Sequence, residues 1–111
     1  MNTIELLEGL KNKTVNFAAV LEHIESLYTH TPTGFTNGMQ RNESTQNQGS
    51  AKVFGFAKAE ELSKEDTLLL FAEHYQSVLD TPNDADHQNI RQFMLNGWDG
   101  VTFDGVVLEK K

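Results

Sequence analysis

The chain has 111 residues, no cysteine, a 38% apolar share and a formal net charge of −7. That length suits one domain burying roughly two-thirds of its unfolded surface, and the missing thiols exclude disulfides, thiolate catalysis and thiolate metal sites. The nine Lys and Arg are scattered, paired only at Lys110-Lys111, and assemble no basic face, which argues against nucleic acid and anionic membranes as partners.

Asn2 and Glu5 read as a capping box opening a short helix with Ile4, Leu7 and Leu10 inward. Thr14 is a candidate N-cap for a second helix, whose stripe is Phe17, Val20, Leu21, Ile24, Leu27 and Tyr28. His23 falls on its polar side, and Pro32 ends it near Thr29. Thr31–Ser50 follows, a polar stretch whose only charges are Arg41 and Glu43. A structureless segment of this length in a small domain is generally functional or disordered, and the expectation is a folded polar loop walling a site. Asn37-Gly38 marks a turn within it.

Lys52–Ala57 reads as a strand, with Phe54 and Phe56 on one face and Val53, Gly55 and Ala57 on the other. Ser63 to Asp66 resembles a capping box for a helix carrying Leu68, Phe71, Ala72, Tyr75, Val78 and Leu79. Asp86 is the expected cap of a last helix, 87–96, which buries Ile90, Phe93 and Met94. Gly97 closes it, with Trp98 folding back on Phe93. Val101–Phe103 and Val106–Leu108 flank Asp104-Gly105, a strong hairpin signal. The sum is a single α+β domain of about four helices on a small, about three-stranded antiparallel sheet.

No reaction-defining motif is present, so candidate residues carry two readings each. His87 beside Asp86 has the logic of an activated base, whereas Asp86 as a cap is the structural alternative. His87 and Arg91 share a helix face and together suit an anion or the carbonyls of the polar stretch. Asn37, Asn42, Asn47 and Gln48 either line a recognition site or tie their own segment together. Thr36 and Ser50 are nucleophiles only if a base lies near, and no GxSxG elbow is present. Trp98 is a core closure or an exposed anchor for a partner. His30, His74 and His87 have no metal-ligand spacing, so neither a metal site nor a cofactor is expected.

The order of these motifs is familiar. HTPTGFTNG at 30–38, QNQGSAKVFGF at 46–56 and DHQNIRQFMLNGWDGVTFDG at 86–105 resemble the HopJ type III effector family, over nearly the whole chain. The resemblance implies a small single-domain protein related to effectors that plant-pathogenic bacteria inject into host cells. It carries over no catalytic residue. Three functions follow as expectations. The first is a binding module for a protein or small polar ligand through residues 31–50 and 86–98. The second is a small hydrolase or transferase with His87 as base. The third is an injected effector or, failing export, a cytosolic housekeeping protein. Lacking a membrane-length apolar run or a recognisable secretory signal, the chain has a cytoplasmic default address.

Overall fold

The computed structural model describes residues 1–111. It has the expected α+β composition, but with six α-helices rather than about four, and two small antiparallel sheets rather than one. Helix α1 (Thr3–Lys11) starts on the capping box: Asn2 Oδ1 accepts the Glu5 N–H at 2.8 Å, and Glu5 Oε1 accepts the Asn2 N–H at 3.1 Å. Its inward residues are Leu6 and Leu10, whereas Ile4 is 68% exposed, so the inward face is rotated from the one expected. Helix α2 (Phe17–Leu27) is capped by Asn16, not Thr14. The Thr14 hydroxyl instead donates to the Gly9 carbonyl, finishing the α1 turn. Val20 and Ile24 bury the α2 stripe. His23 is not simply solvated: its ring stands edge-on to Phe56, and its Nε2 is buried without a partner.

The largest correction concerns Lys52–Ala57, which is not a strand but the middle of helix α3 (Gln48–Ala59). Ala51, Val53, Phe54, Phe56 and Ala57 are all buried in it. A helix buried on most sides loses its amphipathic stripe, and a short apolar run then looks the same in either conformation. Phe54 is the hub, with ring centroids 5.0 Å from Phe93, 5.4 Å from Phe71, 6.0 Å from Phe35 and 6.1 Å from Trp98.

Thr31–Ser50 is likewise no extended loop. After strand β1 (Tyr28–His30) come β2 (Phe35–Asn37) and β3 (Gln40–Asn42), then the start of α3. Gly38 and Met39 form a two-residue hairpin turn with φ +59° at Gly38 and register Asn37 to Gln40, the positive-φ requirement that favours glycine there. The Asp104-Gly105 hairpin does not form. Strand β4 (Val101–Phe103) pairs with the free side of β2, and β5 (Leu108–Lys110) pairs with β1. Asp104 instead donates its N–H to Gly34 and takes the Arg41 guanidinium on its carboxylate. Both C-terminal strands are thus drawn to earlier ones, and long-range pairing overrides the local turn signal.

The helix expected from Ser63 is divided in two. Helix α4 (Lys64–Leu69) is capped by Ser63, which accepts the Asp66 N–H, and α5 (Glu73–Asp80) begins after Ala72 at φ 51°, ψ −122°. That backbone region belongs to glycine. Ala72→Gly is therefore expected to stabilise the protein by roughly 1 kcal/mol in urea titration. Helix α6 (Gln88–Asn96) and a 3-10 turn (Gly97–Gly100) complete the chain. Trp98 lies half-buried on Phe93, centroids 5.1 Å apart, the closure expected of it. Asp86 is not the α6 cap. His87 takes that position in a left-handed conformation, φ 51°, with no side chain capping the helix.

Candidate functional site

Three helices begin at one place. Asn47 precedes α3, Ala72 precedes α5 and His87 precedes α6, all with positive φ and none with a side-chain cap. Only five non-glycine residues have positive φ, so three of them gather here. Each such residue costs about 1–2 kcal/mol, and such strain collects at functional sites. Between these helix starts lies a cleft of about 340 Å³. Gly49 and Ser50 reach it from the first turn of α3, Gln88 and Asn89 from the first turn of α6, and His74 from α5. Uncapped first-turn N–H groups carry the positive end of the helix dipole.

The chemistry of the lining is selective. Sixteen carboxylates are distributed over this chain, yet no Asp, Glu, Lys or Arg lines the cleft. Its titratable groups are two imidazoles, His74 and His87, with ring centroids 5.2 Å apart. Phe17 sets its ring against His74 at 4.8 Å, with an interplanar angle of 71°, and backs one wall. His87 Nε2 stands 3.9 Å from Asp86 Oδ2, beyond hydrogen-bond reach, so this carboxylate does not orient the ring as a base-activating partner would.

Asp86 is committed elsewhere. Arg91 donates Nη2–H to Asp86 Oδ1 at 2.8 Å and to Thr81 Oγ1 at 3.3 Å, clamping the segment that leads into α6. That guanidinium holds the Asp86 carboxyl below its ordinary range. Arg91 does not line the cleft, so it and His87 do not form the joint anion grip that their spacing suggests.

The asparagines divide into two roles. Asn37 and Asn42 are fully buried and Asn89 nearly so. Asn37 Nδ2 donates to the Asn89 carbonyl at 2.7 Å. Asn42 and Asn89 exchange side-chain hydrogen bonds at 2.9 and 3.1 Å. Asn47 donates to Asn42 Oδ1 at 2.8 Å, extending this lattice to the cleft wall. Gln48 ties its own segment: its amide oxygen accepts the Thr33 backbone N–H at 3.0 Å, its amide nitrogen donates to the Thr33 carbonyl at 3.1 Å, and its oxygen lies 3.1 Å from His30 Nε2. Thr36 faces the other way and accepts from Arg41. Of the candidate residues, the cleft thus brings together Asn47, Ser50 and His87; Thr36, Asn37, Asn42, Arg91 and Trp98 lie outside its lining. No three His, Asp or Glu side chains gather as a metal-ligand set. In the sequence His74 was legible only as one of three histidines without metal-ligand spacing, and Asn89 only as part of the 86–105 run. Their approach to Ser50 depends on positive-φ residues at the helix starts, Asn47, Ala72 and His87, that periodicity does not reveal.

Two titrations shape stability. Burial holds the His23 and His30 imidazoles below their ordinary value of 6.5. Folding therefore favours their neutral forms, and their contribution is complete above pH 6.5 and lost as pH falls through the lower folded values. Hydrogen bonds from Lys52, Arg91 and Arg41 likewise lower Glu25, Asp86 and Asp104, contributions that vanish further into acid. Melting curves should give a flat Tm from about pH 8 to 7, a first decline beginning near 6.5 and a second below about 4. His23→Leu should shrink the first decline only.

Fold and cleft define a small α+β protein with a polar site at a junction of helix starts. Residues 3–108 match the model of the HopJ type III effector protein family, and the chain belongs to that family. A crystal structure described as that of "unknown function protein VPA0580" superposes with a TM-score of 0.90 at 38% identity, covering 100% of this chain and 95% of the other. No curated protein matches. No helix is long and apolar enough to cross a membrane.

Proposed function

We propose that this HopJ-family protein is a binding module that takes a compact polar anion in the cleft between α3, α5 and α6. The observation that carries this reading is the meeting of His74, His87 and Ser50 in a cavity without a single carboxylate, on a chain of net charge −7. Keeping acid groups off the lining where they are otherwise plentiful reduces the repulsion an anion would meet, and Asp86, 3.9 Å from His87 Nε2, is paired with Arg91. The N-termini of α3 and α6 add favourable potential, and imidazole and hydroxyl groups add directional donors. The volume falls within the range of small-ligand sites. Calorimetric titration with inorganic phosphate and with citrate provides the test. One-to-one binding is expected, weakened at least tenfold in a His74→Ala/His87→Gly double variant whose Tm is not lowered. No saturable binding of either probe, or unchanged affinity in the variant, contradicts the reading.

A second reading, a hydrolase with His87 as base, draws support from Ser50 and His87 lining the same cleft. It requires His87 to accept the Ser50 proton without an orienting carboxylate. Turnover of an activated acyl or phosphoryl ester that disappears in Ser50→Ala, with phosphate binding retained, would favour it over simple binding. The effector role described for the family enters here too, as a context in which a host molecule would supply the anion.

A further inference from the structure

On the other side of Ala72 a larger groove of about 780 Å³ lies between the α1–α2 turn and α5. Its lining is mostly apolar, with Leu10, Val15, Ala19, Leu69 and Leu79 contributing, and Leu79 remains 46% exposed. The charges beside it are asymmetric. Lys11 and Lys13 both lie at the groove, and neither forms a salt bridge; Lys13 Nζ meets only the amide oxygen of Gln76 at 3.3 Å. The one carboxylate there, Glu73, uses Oε1 to accept the Phe17 N–H at 2.8 Å. An apolar trough with two cations that lack carboxylate partners, on a strongly acidic chain, selects a molecule that is apolar along its length and negative at one end.

We propose that this groove binds a single-chain fatty acid, with the alkyl tail along the leucines and the carboxylate at Lys11 and Lys13. The volume is that of a small-molecule site, mostly apolar with a few polar groups fixing orientation. A neutral alkyl compound would leave both ammonium groups unused, and a cationic one would be repelled by them. A partner helix would have to seat its apolar stripe beside Lys11, Lys13 and Glu73 together and match charges of both signs. The fatty acid needs only one anionic end.

The test is calorimetric titration of the whole chain with octanoate, decanoate and laurate below their aggregation concentrations, beside dodecyltrimethylammonium and dodecyl maltoside. One equivalent should bind, tightening by about fourfold for each methylene that enters the groove. Laurate affinity should fall at least tenfold in Lys11→Glu/Lys13→Glu, which alters exposed side chains only. It should disappear in Ala19→Phe, which fills the groove. Melting curves confirm that both variants fold. Equal affinity for the cationic or neutral analogue, no saturable uptake, or laurate binding that survives both variants would overturn the proposal. So would tighter binding of an acidic amphipathic peptide that displaces laurate, since it assigns the groove to a protein partner.

Discussion

Phe54→Ala is expected to destabilise the protein by about 3–5 kcal/mol, a large part of the 5–15 kcal/mol that holds a typical domain together. The side chain is fully buried, and four other aromatic rings, from β2, from the α4–α5 junction, from α6 and from the 3-10 turn, pack against it. Truncation leaves a cavity among rigid rings that cannot easily collapse, so the loss belongs at the upper end for such changes. Urea denaturation read by Trp98 fluorescence measures it directly, because the Phe54 ring lies 6.1 Å from the indole. Phe54→Leu should recover about half the loss. A cost below about 1 kcal/mol would mean that α3 is not the buried hub.

Asn42→Ala is the second large effect, expected at about 3 kcal/mol. Asn42 is the junction of the polar lattice, accepting from Asn47 and Asn89 and donating to Asn89 and to the Phe35 carbonyl. Its removal strands the Asn89 amide donor in a region without water access, and unsatisfied buried polar groups cost the full desolvation penalty. At about 4–8 °C per kcal/mol for a domain of this class, the Tm should fall by more than about 10 °C. An Asn42→Ala/Asn89→Ala cycle should show coupling of about 1–3 kcal/mol. Additive single effects would show that the two amides act independently.

Much of the local structure was legible because it is written in adjacent residues. The Asn2–Glu5 box, the Val20–Ile24 stripe, the Ser63 cap and the Trp98 closure on Phe93 all depend on neighbours within a few positions. What the sequence concealed depends on distant partners. The α3 run reads as a strand because burial on most sides removes the polar face that would mark a helix. The Asp104-Gly105 turn signal loses to β1 and β2, which offer better-placed edges to the two C-terminal strands. The asparagines of the polar stretch look like a recognition surface, yet Asn37 and Asn42 turn inward to hold α6. The cleft itself escaped because Ala72 and His87 adopt backbone conformations that their residue types disfavour.

That strain links stability to the proposed site. Asn47, Ala72 and His87 start three helices without side-chain caps, and α3 and α6 present the first-turn residues Gly49, Ser50, Gln88 and Asn89 to the cleft, whereas the His74 and Tyr75 N–H groups of α5 are taken by the Phe71 and Ala72 carbonyls. A fold selected only for stability would cap these helices. One measurement tests the idea most directly: an amide-resolved NMR titration with inorganic phosphate. Saturable shifts are expected, concentrated at Gly49, Ser50, Gln88 and Asn89 and at the His74 and His87 rings. Shifts confined to the surface lysines, or no response at the starts of α3 and α6, would contradict it.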